Sequence, residues 1–230
     1  MPKPLPVLVL HTVLASVLVL AAFLAPDLHA QSVSDPTSGW QTISIPDTAT
    51  FQIPASMEAQ IGLGGGLINL PAEPGSKPNL ANLCAAVLPK GADLGTDQGQ
   101  FLFDTLAWGD EVPAAVFTGP SPTADASLQK LDADLRRDRE SKIKTTRSMG
   151  LAAELKTWAG TNITKVDGFN AVATAFTHTL GTSPPVLVRE IRIPNGDRTH
   201  LITISYPSDQ ADRWLTDLVK IFQSLKLIRH

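Results

Sequence analysis

Residues 165–181 read KVDGFNAVATAFTHTLG, and the secondary structure of this stretch decides the fold of the chain. Its apolar residues fit one face of a helix, and they fit equally well a strand that is covered on both faces. We predict a strand, because the run contains β-branched threonines and because Gly168 and Gly181 bracket a length that suits a strand. His178 lies among those threonines, so the choice also bears on whether it belongs to a sheet or is a candidate ligand or catalyst.

Two apolar runs follow, PVLVREIRIP at 185–194 and THLITISYP at 199–207. They are joined by Asn195-Gly196, which is a strong signal for a β-hairpin because both residue types tolerate positive φ. We therefore predict three adjacent antiparallel strands, at 170–179, 186–193 and 200–206.

The chain upstream of this region contains further strand candidates. The runs TISIP (42–46) and TFQIP (50–54) are short, alternating and each stopped by proline, which predicts a hairpin. LANLCAAVLP (80–89) and GQFLFDTLAW (99–108) predict two more strands, the first of them buried. The stretch from 61 to 79 contains too much glycine and proline to hold regular structure for long.

Two helices are predicted from the spacing of apolar residues. The first runs from Thr123, its predicted N-cap, to Gly150, and leucines recur along it at helical spacing. Its acids gather early and its bases late, which complements the helix dipole. Ser208 is the predicted cap of the second helix. The predicted buried stripe of that helix consists of Ala211, Leu215, Leu218, Phe222 and Leu225.

The order of these elements predicts an α/β sandwich, because the apolar faces of the sheet need helices to cover them. Trp40 and the TISIP…TFQIP hairpin open the chain, and a Gly-Phe-Asn-Ala entry (168–171) leads to the three strands. The closing helix contains Trp214 and ends in IFQSLKL. In these features the chain resembles the α/β/α sandwich family of the PsbP subunit of photosystem II, the Ran-binding Mog protein and bacterial secreted relatives such as DcrB. The resemblance covers residues 40–228 and implies a mainly antiparallel sheet and a non-enzymatic binding, assembly or accessory role.

The first thirty residues have the layout of a secretory signal peptide. Lys3 precedes an apolar run that ends near Leu24, and a small residue, Ala30, lies at the expected cut. The alternative is a retained anchor, because the run approaches the length of a membrane span. No cysteine follows the apolar run, which excludes a bacterial lipid anchor of the kind that is attached to a cysteine at the cleavage site. We predict a secreted or periplasmic protein without a membrane anchor after cleavage, organised as a signal peptide (1–30), a disordered lead-in (31–39) and one domain (40–230).

Composition excludes other classes of protein. The formal net charge of −3 gives no support for nucleic-acid binding. Cys84 is the sole cysteine, so no disulfide can form within the chain. The basic run at 136–147 is interleaved with acids and has no aromatic residue, which indicates a solvated helix face.

Motifs for chemistry are weak in this sequence. His178 and His200 are the best available pair for a metal, but no third ligand accompanies them, so neither a metal site nor a cofactor is predicted. The tetrapeptide SLQK at 127–130 spells the SxxK of penicillin-binding enzymes without their SDN or KTG partners. A secreted serine hydrolase that uses Ser127 and Lys130 is therefore the alternative to a binding protein.

We predict a non-enzymatic binding or accessory protein whose partner is another protein. Binding residues concentrate on loops held by a rigid scaffold, and two irregular segments are candidates. The first segment contributes Gly64, Gly65 and Gly66. The second contributes Trp108, Asp110 and Glu111. The glycine-rich segment lacks the third glycine and the helix of a dinucleotide loop, so it is a connector or a mobile lid. Trp108 has the alternative of packing against the long helix, and a small-ligand cleft beside the 62–78 loop is a further alternative function.

Secreted protein should begin at Gln31, because the apolar run and Ala30 place the cut before it. N-terminal sequencing of the secreted material measures this directly. Recovery of protein that starts at Met1 in a membrane fraction would contradict the assignment of a cleaved signal peptide.

Overall fold

The structure is a computed structural model that describes residues 32–34, 39–63, 83–92, 98–106 and 112–230. Within these residues the chain forms two α-helices, α1 (Pro122–Ser148) and α2 (Ala211–Gln223). Its strands are β1 (Ser32–Ser34), β2 (Trp40–Ile45), β3 (Ala49–Pro54), β4 (Met57–Leu63), β5 (Leu83–Pro89), β6 (Gln100–Leu106), β7 (Ala153–Val166), β8 (Phe169–Leu180), β9 (Val186–Asn195), β10 (Arg198–Pro207) and β11 (Lys226–Leu227). Short 3-10 turns precede the two helices, at Ala114–Phe117 and Ser208–Gln210.

In the described part of the chain the strands form two antiparallel sheets. The larger has seven strands in the order β4-β5-β6-β10-β9-β8-β7, and the smaller has four in the order β1-β2-β3-β11. The three strands predicted at 170–179, 186–193 and 200–206 are β8, β9 and β10, which are adjacent and antiparallel. The prediction of a strand rather than a helix for the stretch that decides the fold is therefore confirmed.

Two tight turns set the register of this region. Asp167 and Gly168, with φ values of 47° and 82°, connect β7 to β8. Positive φ at both positions matches the twist of the strands that such a turn joins. Gly196, with a φ of 65°, begins the turn from β9 to β10, and Asn195 pairs with Arg198 across it. The predicted hairpin is confirmed, with Asn195 as the last residue of its first strand.

Side chains that alternate along β8 separate the two faces of the large sheet. Ala171 and Ala173 point into the main core, which the large sheet shares with the small sheet and α2. Val172 and Phe176 point to the opposite face, where residues of α1 contact them. The large sheet thus lies between α1 on one side and α2 with the small sheet on the other, which confirms the predicted α/β/α sandwich around a mainly antiparallel sheet.

The main core fills the space between the two sheets and α2. Buried and half-buried residues alternate along β6, so that Phe101 and Phe103 both point into this core. The rings of Phe51 and Phe101 lie 5.4 Å apart between centroids and join the small sheet to the large one. Full burial of a side chain of this size contributes about 1.5–3 kcal/mol, so contacts of this kind hold the layers together.

The long helix α1 begins earlier than predicted. The side chain of Ser121 accepts a hydrogen bond from the backbone N–H of Ala124 at 3.1 Å, and Pro122 is the first helical residue. Proline is favoured at that position because its missing N–H would have no helical partner in any case. The prediction of Thr123 as the N-cap is wrong, since Thr123 lies in the first turn. The helix ends before Gly150, as predicted.

The C-terminal helix α2 differs from its prediction in two respects. Ser208 lies in a 3-10 turn, and α2 begins at Ala211 without a side-chain cap. Leu215 is 44% exposed, whereas the neighbouring Trp214 is 8% exposed. The buried stripe continues from Trp214 to Leu218 at a helical spacing of four residues, which leaves Leu215 outside it.

Three strands lie in segments that the sequence did not assign to strands. β1 lies inside the lead-in that was predicted to be disordered, and it pairs with β2. β4 extends into the stretch that was predicted to be irregular from residue 61, and it pairs with β5 as far as Leu63. β7 is absent from the prediction altogether and forms one edge of the large sheet.

A buried hydrogen-bond network ties the last residues of the chain to the sheet. Asn195 donates from Nδ2 to the carbonyl of Ile228 at 2.7 Å and accepts at Oδ1 from the backbone N–H of His230 at 3.1 Å. Because a carbonyl only accepts and a backbone N–H only donates, these contacts fix the orientation of the Asn195 amide. Its Nδ2 therefore also donates to Nε2 of His200 at 3.0 Å, and the imidazole proton lies on Nδ1, 3.0 Å from Thr105 Oγ1. Burial of His200 favours this neutral form and lowers its pKa to about 4.

Replacing Phe176 by Ala should lower the free energy of unfolding by about 3–5 kcal/mol, because the ring is 1% exposed and would leave a cavity. Phe222 belongs to the stripe of α2 that the sequence predicts to be buried, and full burial would imply an equal loss for Phe222→Ala. In the structure Phe222 is only half-buried, so this substitution should lower the free energy of unfolding clearly less. Equilibrium unfolding in denaturant measures both variants. Equal losses would contradict the difference in burial.

Stability should also fall with acid, through His200. The unfolded chain binds a proton at this residue near pH 6.5, while the folded chain binds it only near pH 4, so stability is lost as the pH falls through that window. The slope approaches about 1.4 kcal/mol per pH unit and vanishes outside the window for this group. His200→Gln, which keeps an acceptor for Asn195, should reduce the slope, as urea unfolding at several pH values would measure. Parallel profiles for the two proteins would contradict the assignment.

Candidate functional site

The binding residues predicted from the sequence all lie outside the described residues: Gly64, Gly65, Gly66, Trp108, Asp110 and Glu111. The predicted signal peptide, residues 1–30, lies outside them as well. These assignments remain predictions, and the site described below consists of other residues.

Ser127 and Lys130 lack the contact that a serine–lysine hydrolase needs. Ser127 is half-buried on α1. The Lys130 side chain is 79% exposed, and its Nζ donates to Asp134 Oδ2 at 2.7 Å. Asp134 lies one turn beyond Lys130, on the side away from Ser127, so the ammonium is directed away from the hydroxyl that it would have to activate.

His178 and His200 lie far apart on opposite faces of the large sheet. His178 pairs with Val186 near one end of β9, and His200 pairs with Ile193 near the other. These partners are seven positions apart (193 − 186), roughly 23 Å at about 3.3 Å per residue, and an odd separation puts them on opposite faces. Burial lowers the pKa of each histidine to about 4. The two cannot share a metal ion, and among the residues that the structure describes no three His, Cys, Asp or Glu side chains form a metal-binding group.

The structure instead brings together residues on the face of the large sheet that α1 covers. Trp158 of β7 stacks on Phe176 of β8, with 5.7 Å between ring centroids and 14° between the ring planes. Trp158 Nε1 donates to Asp132 Oδ1 of α1 at 3.0 Å. The guanidinium of Arg139 lies 4.5 Å from the centroid of the Phe176 ring. These contacts fix α1 across β7 and β8 and hold Trp158 in one orientation.

A buried ion-pair network anchors the same helix to β9. Glu190 is 8% exposed, and its carboxylate accepts hydrogen bonds from Arg139 of α1 and from Nη2 of Arg192, the latter at 3.1 Å. Burial alone would raise the pKa of Glu190, but the positive charges of the two arginines outweigh it and hold the pKa below its usual range. Glu190 is therefore ionised at neutral pH and attracts the helix to the sheet.

Beside these contacts an open groove runs between the second half of α1 and the first half of β7. It consists of two adjoining clefts of about 380 and 670 Å³ that share Arg147, Glu154 and Lys156. The larger cleft continues past the end of α1 to Gly150 and to the turn at Gly181. The smaller is lined by Arg136, Glu140, Ile143 and Lys144 of α1 and by Leu155 and Trp158 of β7.

The charges along the groove do not cancel. Lys144 and Arg147 form no ion pair with any residue in the described part of the chain. Nε of Arg147 donates to the carbonyl of Ala153, which holds this guanidinium at the groove. Other charges are neutralised within ion pairs: Arg136–Glu140 at 2.9 Å and Lys156–Glu154 at 2.5 Å. Four basic and two acidic side chains line the two clefts, so the groove carries a net charge of +2 (4 − 2). Lys156 and, more weakly, Arg147 lower the pKa of Glu154, so the charge of Arg147 is balanced only in part.

Apolar side chains lie between these charges. Ile143, Leu155 and Trp158 are half-buried and form the floor of the smaller cleft. Beyond the end of α1, Met149 and Leu151 are 46% and 47% exposed. An apolar centre with an aromatic residue, surrounded by a polar rim that contains arginine, is the composition of protein contact surfaces.

The sequence pointed to the helix residues of this groove but not to the groove. The basic run at 136–147 was interpreted as a solvated face, and much of its charge is indeed paired. The sequence pattern of the basic run gives no sign of β7, which forms the wall of the groove opposite α1. The dipeptide Asp167-Gly168 is the signal that could have revealed it, since Asp-Gly between two strand-like runs indicates a hairpin.

No protein-family model matches the chain, and no curated protein matches it significantly in sequence. Among solved structures, PsbP from the cyanobacterium Synechocystis is 12% identical, with 90% of this chain and 97% of that chain covered and a TM-score of 0.41. LpqN of Mycobacterium tuberculosis, described as involved in cell envelope biogenesis, is 10% identical, with 82% and 90% covered and a TM-score of 0.42. A protein of unknown function from Pseudomonas aeruginosa is 14% identical, with 80% and 94% covered and a TM-score of 0.32. Likenesses with TM-scores this low establish neither a family nor a function for this chain.

Neither helix in the described part of the chain has the length and apolar character needed to cross a membrane.

Proposed function

We propose that the chain is a non-enzymatic binding or accessory protein, exported from the cytoplasm, that contacts another protein through the groove between α1 and β7. The observation that carries this proposal is the net positive charge of the groove, to which Lys144 and Arg147 contribute outside any ion pair, beside the apolar surface at Trp158. Charge and apolar area together are what a protein partner can complement.

Two side chains that a partner would contact, Trp158 and Arg147, are held in place by neighbouring residues. Trp158 is held by Phe176 on one face and by Asp132 at its indole nitrogen, and Arg147 is held by Ala153. Side chains that are already fixed lose little conformational entropy on binding, so more of the contact energy contributes to affinity.

The shape of the groove favours a protein over a small ligand. It is open along its length, whereas small-molecule sites bury about 70–90% of their ligand in a concave pocket. The hydrolase alternative requires contact between Ser127 and Lys130, and Lys130 is paired with Asp134 instead.

A photo-crosslinking amino acid at position 144, introduced in the native host, should form a covalent adduct with a partner protein. Position 165 is the matched control, because Lys165 is also exposed but lies on β7 about 30 Å from Lys156 at about 3.3 Å per residue. Gel analysis after irradiation should show an adduct for position 144 and none for position 165.

Two results would overturn the proposal. One is the absence of an adduct at position 144, or the same adducts at both positions. The other is covalent labelling of Ser127 by a fluorophosphonate probe that is lost in Ser127→Ala, because an activated serine would make the protein a hydrolase.

A further inference from the structure

We infer that the groove recognises an acidic protein segment in which two carboxylates lie beside one large apolar side chain. The length of the smaller cleft gives about five residues for this segment. The inference rests on the proposed function and specifies the chemistry of the partner. Each element of the motif follows from a separate feature of the groove.

The carboxylates follow from the net positive charge of the groove. Lys144 and Arg147 lie one turn apart on α1 and both line the groove, and neither forms an ion pair with a described residue. Arg147 donates to Ala153 only through Nε, so its terminal nitrogens remain for a ligand. A guanidinium binds a carboxylate with two parallel hydrogen bonds, whereas lysine acts as a point charge, so the two residues together suit two neighbouring acids.

The apolar side chain follows from the floor. The indole of Trp158 has its polar edge satisfied by Asp132 and one face covered by Phe176. What remains toward the groove is apolar, and it continues into Ile143 and Leu155. A large aliphatic or aromatic residue of the partner would cover this surface and remove it from water.

The length of the motif follows from the helix. From Arg136 to Arg147 there are eleven steps of about 1.5 Å, which is roughly 16 Å along the smaller cleft, where the apolar residues lie. An extended segment covers about 3.3 Å per residue, so about five residues fill this length.

The segment should be recognised by its side chains and not by addition of a strand to the sheet. The register of β7 against β8 shifts between Leu155 and Thr157 and again between Trp158 and Gly160, which is the part of β7 that lines the groove. Such irregularities bend an edge strand and oppose pairing with another chain. Specificity should therefore depend on the acids and the apolar anchor.

A membrane surface fits the groove less well than an acidic protein segment. Anionic lipid surfaces are bound by clusters of about four to eight basic residues. The groove offers two unpaired cations in the described part of the chain, and Glu140 and Glu154 lie among them.

The test is selection from a random peptide display library on the purified protein as the host processes it. Selected peptides should carry two or more acidic residues beside a Trp, Phe or Leu. A synthetic copy of a selected peptide should bind at least about tenfold more weakly to Lys144→Glu/Arg147→Glu, as expected for the loss of charge-assisted contacts. Binding should also weaken as the salt concentration rises.

The matched control is Lys90→Glu/Lys165→Glu, which changes the net charge by the same amount at exposed sites outside the groove, and its affinity should equal that of the unmodified protein. Since Arg147 also contacts Ala153, Lys144→Glu alone provides a variant that disturbs no described contact. On the peptide side, replacing the acids by their amides, or the apolar residue by Ala, should each reduce binding.

Selection of neutral or basic peptides, or equal affinity for the groove variant and the control, would overturn the inference. So would binding to phosphatidylglycerol vesicles that is lost in Lys144→Glu/Arg147→Glu when no peptide is selected. If adducts form at position 144 but the peptides are not acidic, this inference fails and the proposed function stands. If neither adducts nor peptides are found, both fail.

Discussion

The ionised carboxylate of Glu190, buried between Arg139 and Arg192, is the interaction on which the position of the long helix depends. Among the residues of α1 only Ala124 is fully buried, so apolar packing cannot by itself hold this helix in one place. Arg192 lies on the same strand as Glu190 and contacts it wherever the helix lies, so Arg139 is the partner that depends on the helix position. Attraction between a buried carboxylate and this second guanidinium therefore favours the observed position of the helix. On the other side the helix contacts β7 through Asp132 with Trp158 and through Arg147 with Ala153, and the groove lies along this side.

The polar contacts of α1 also explain why the groove is charged. A helix that packs through half-buried leucines and ion pairs keeps most of its charged residues near the surface. Charged residues on the solvent side form ion pairs along the helix, such as Arg136 with Glu140 and Lys142 with Asp138. Positive charge without an ion-pair partner therefore remains near the C-terminal end of α1, beside β7, where no acidic residue of the helix is left to pair with it.

The sequence predicted those elements whose apolar pattern is strong and local. β9 and β10 are buried at most positions and β8 at half of them, and glycine-containing turns join the three strands, so their type and order could be inferred. β7 lies at the edge with most of its residues at least partly exposed, and its irregular register destroys the alternation by which a strand is recognised. The stacking of Trp158 on Phe176 depends on the pairing of two strands and on Asp132 from a distant helix, so no local pattern could contain it.

The basic run shows what a one-dimensional pattern can and cannot decide. Residues three and four apart on a helix are neighbours, so the sequence alone shows that Arg147 has no acidic neighbour within a turn on its N-terminal side. Lys144 does have one, Glu140, but Glu140 is taken by Arg136. Counting such pairs leaves Arg139, Lys144 and Arg147 without a partner on the helix, and only the structure shows that Arg139 pairs with Glu190 of β9. Only the position of β7 shows that Lys144 and Arg147 face an apolar floor and not open water, and this difference changes a solvated helix face into a surface that a partner can bind.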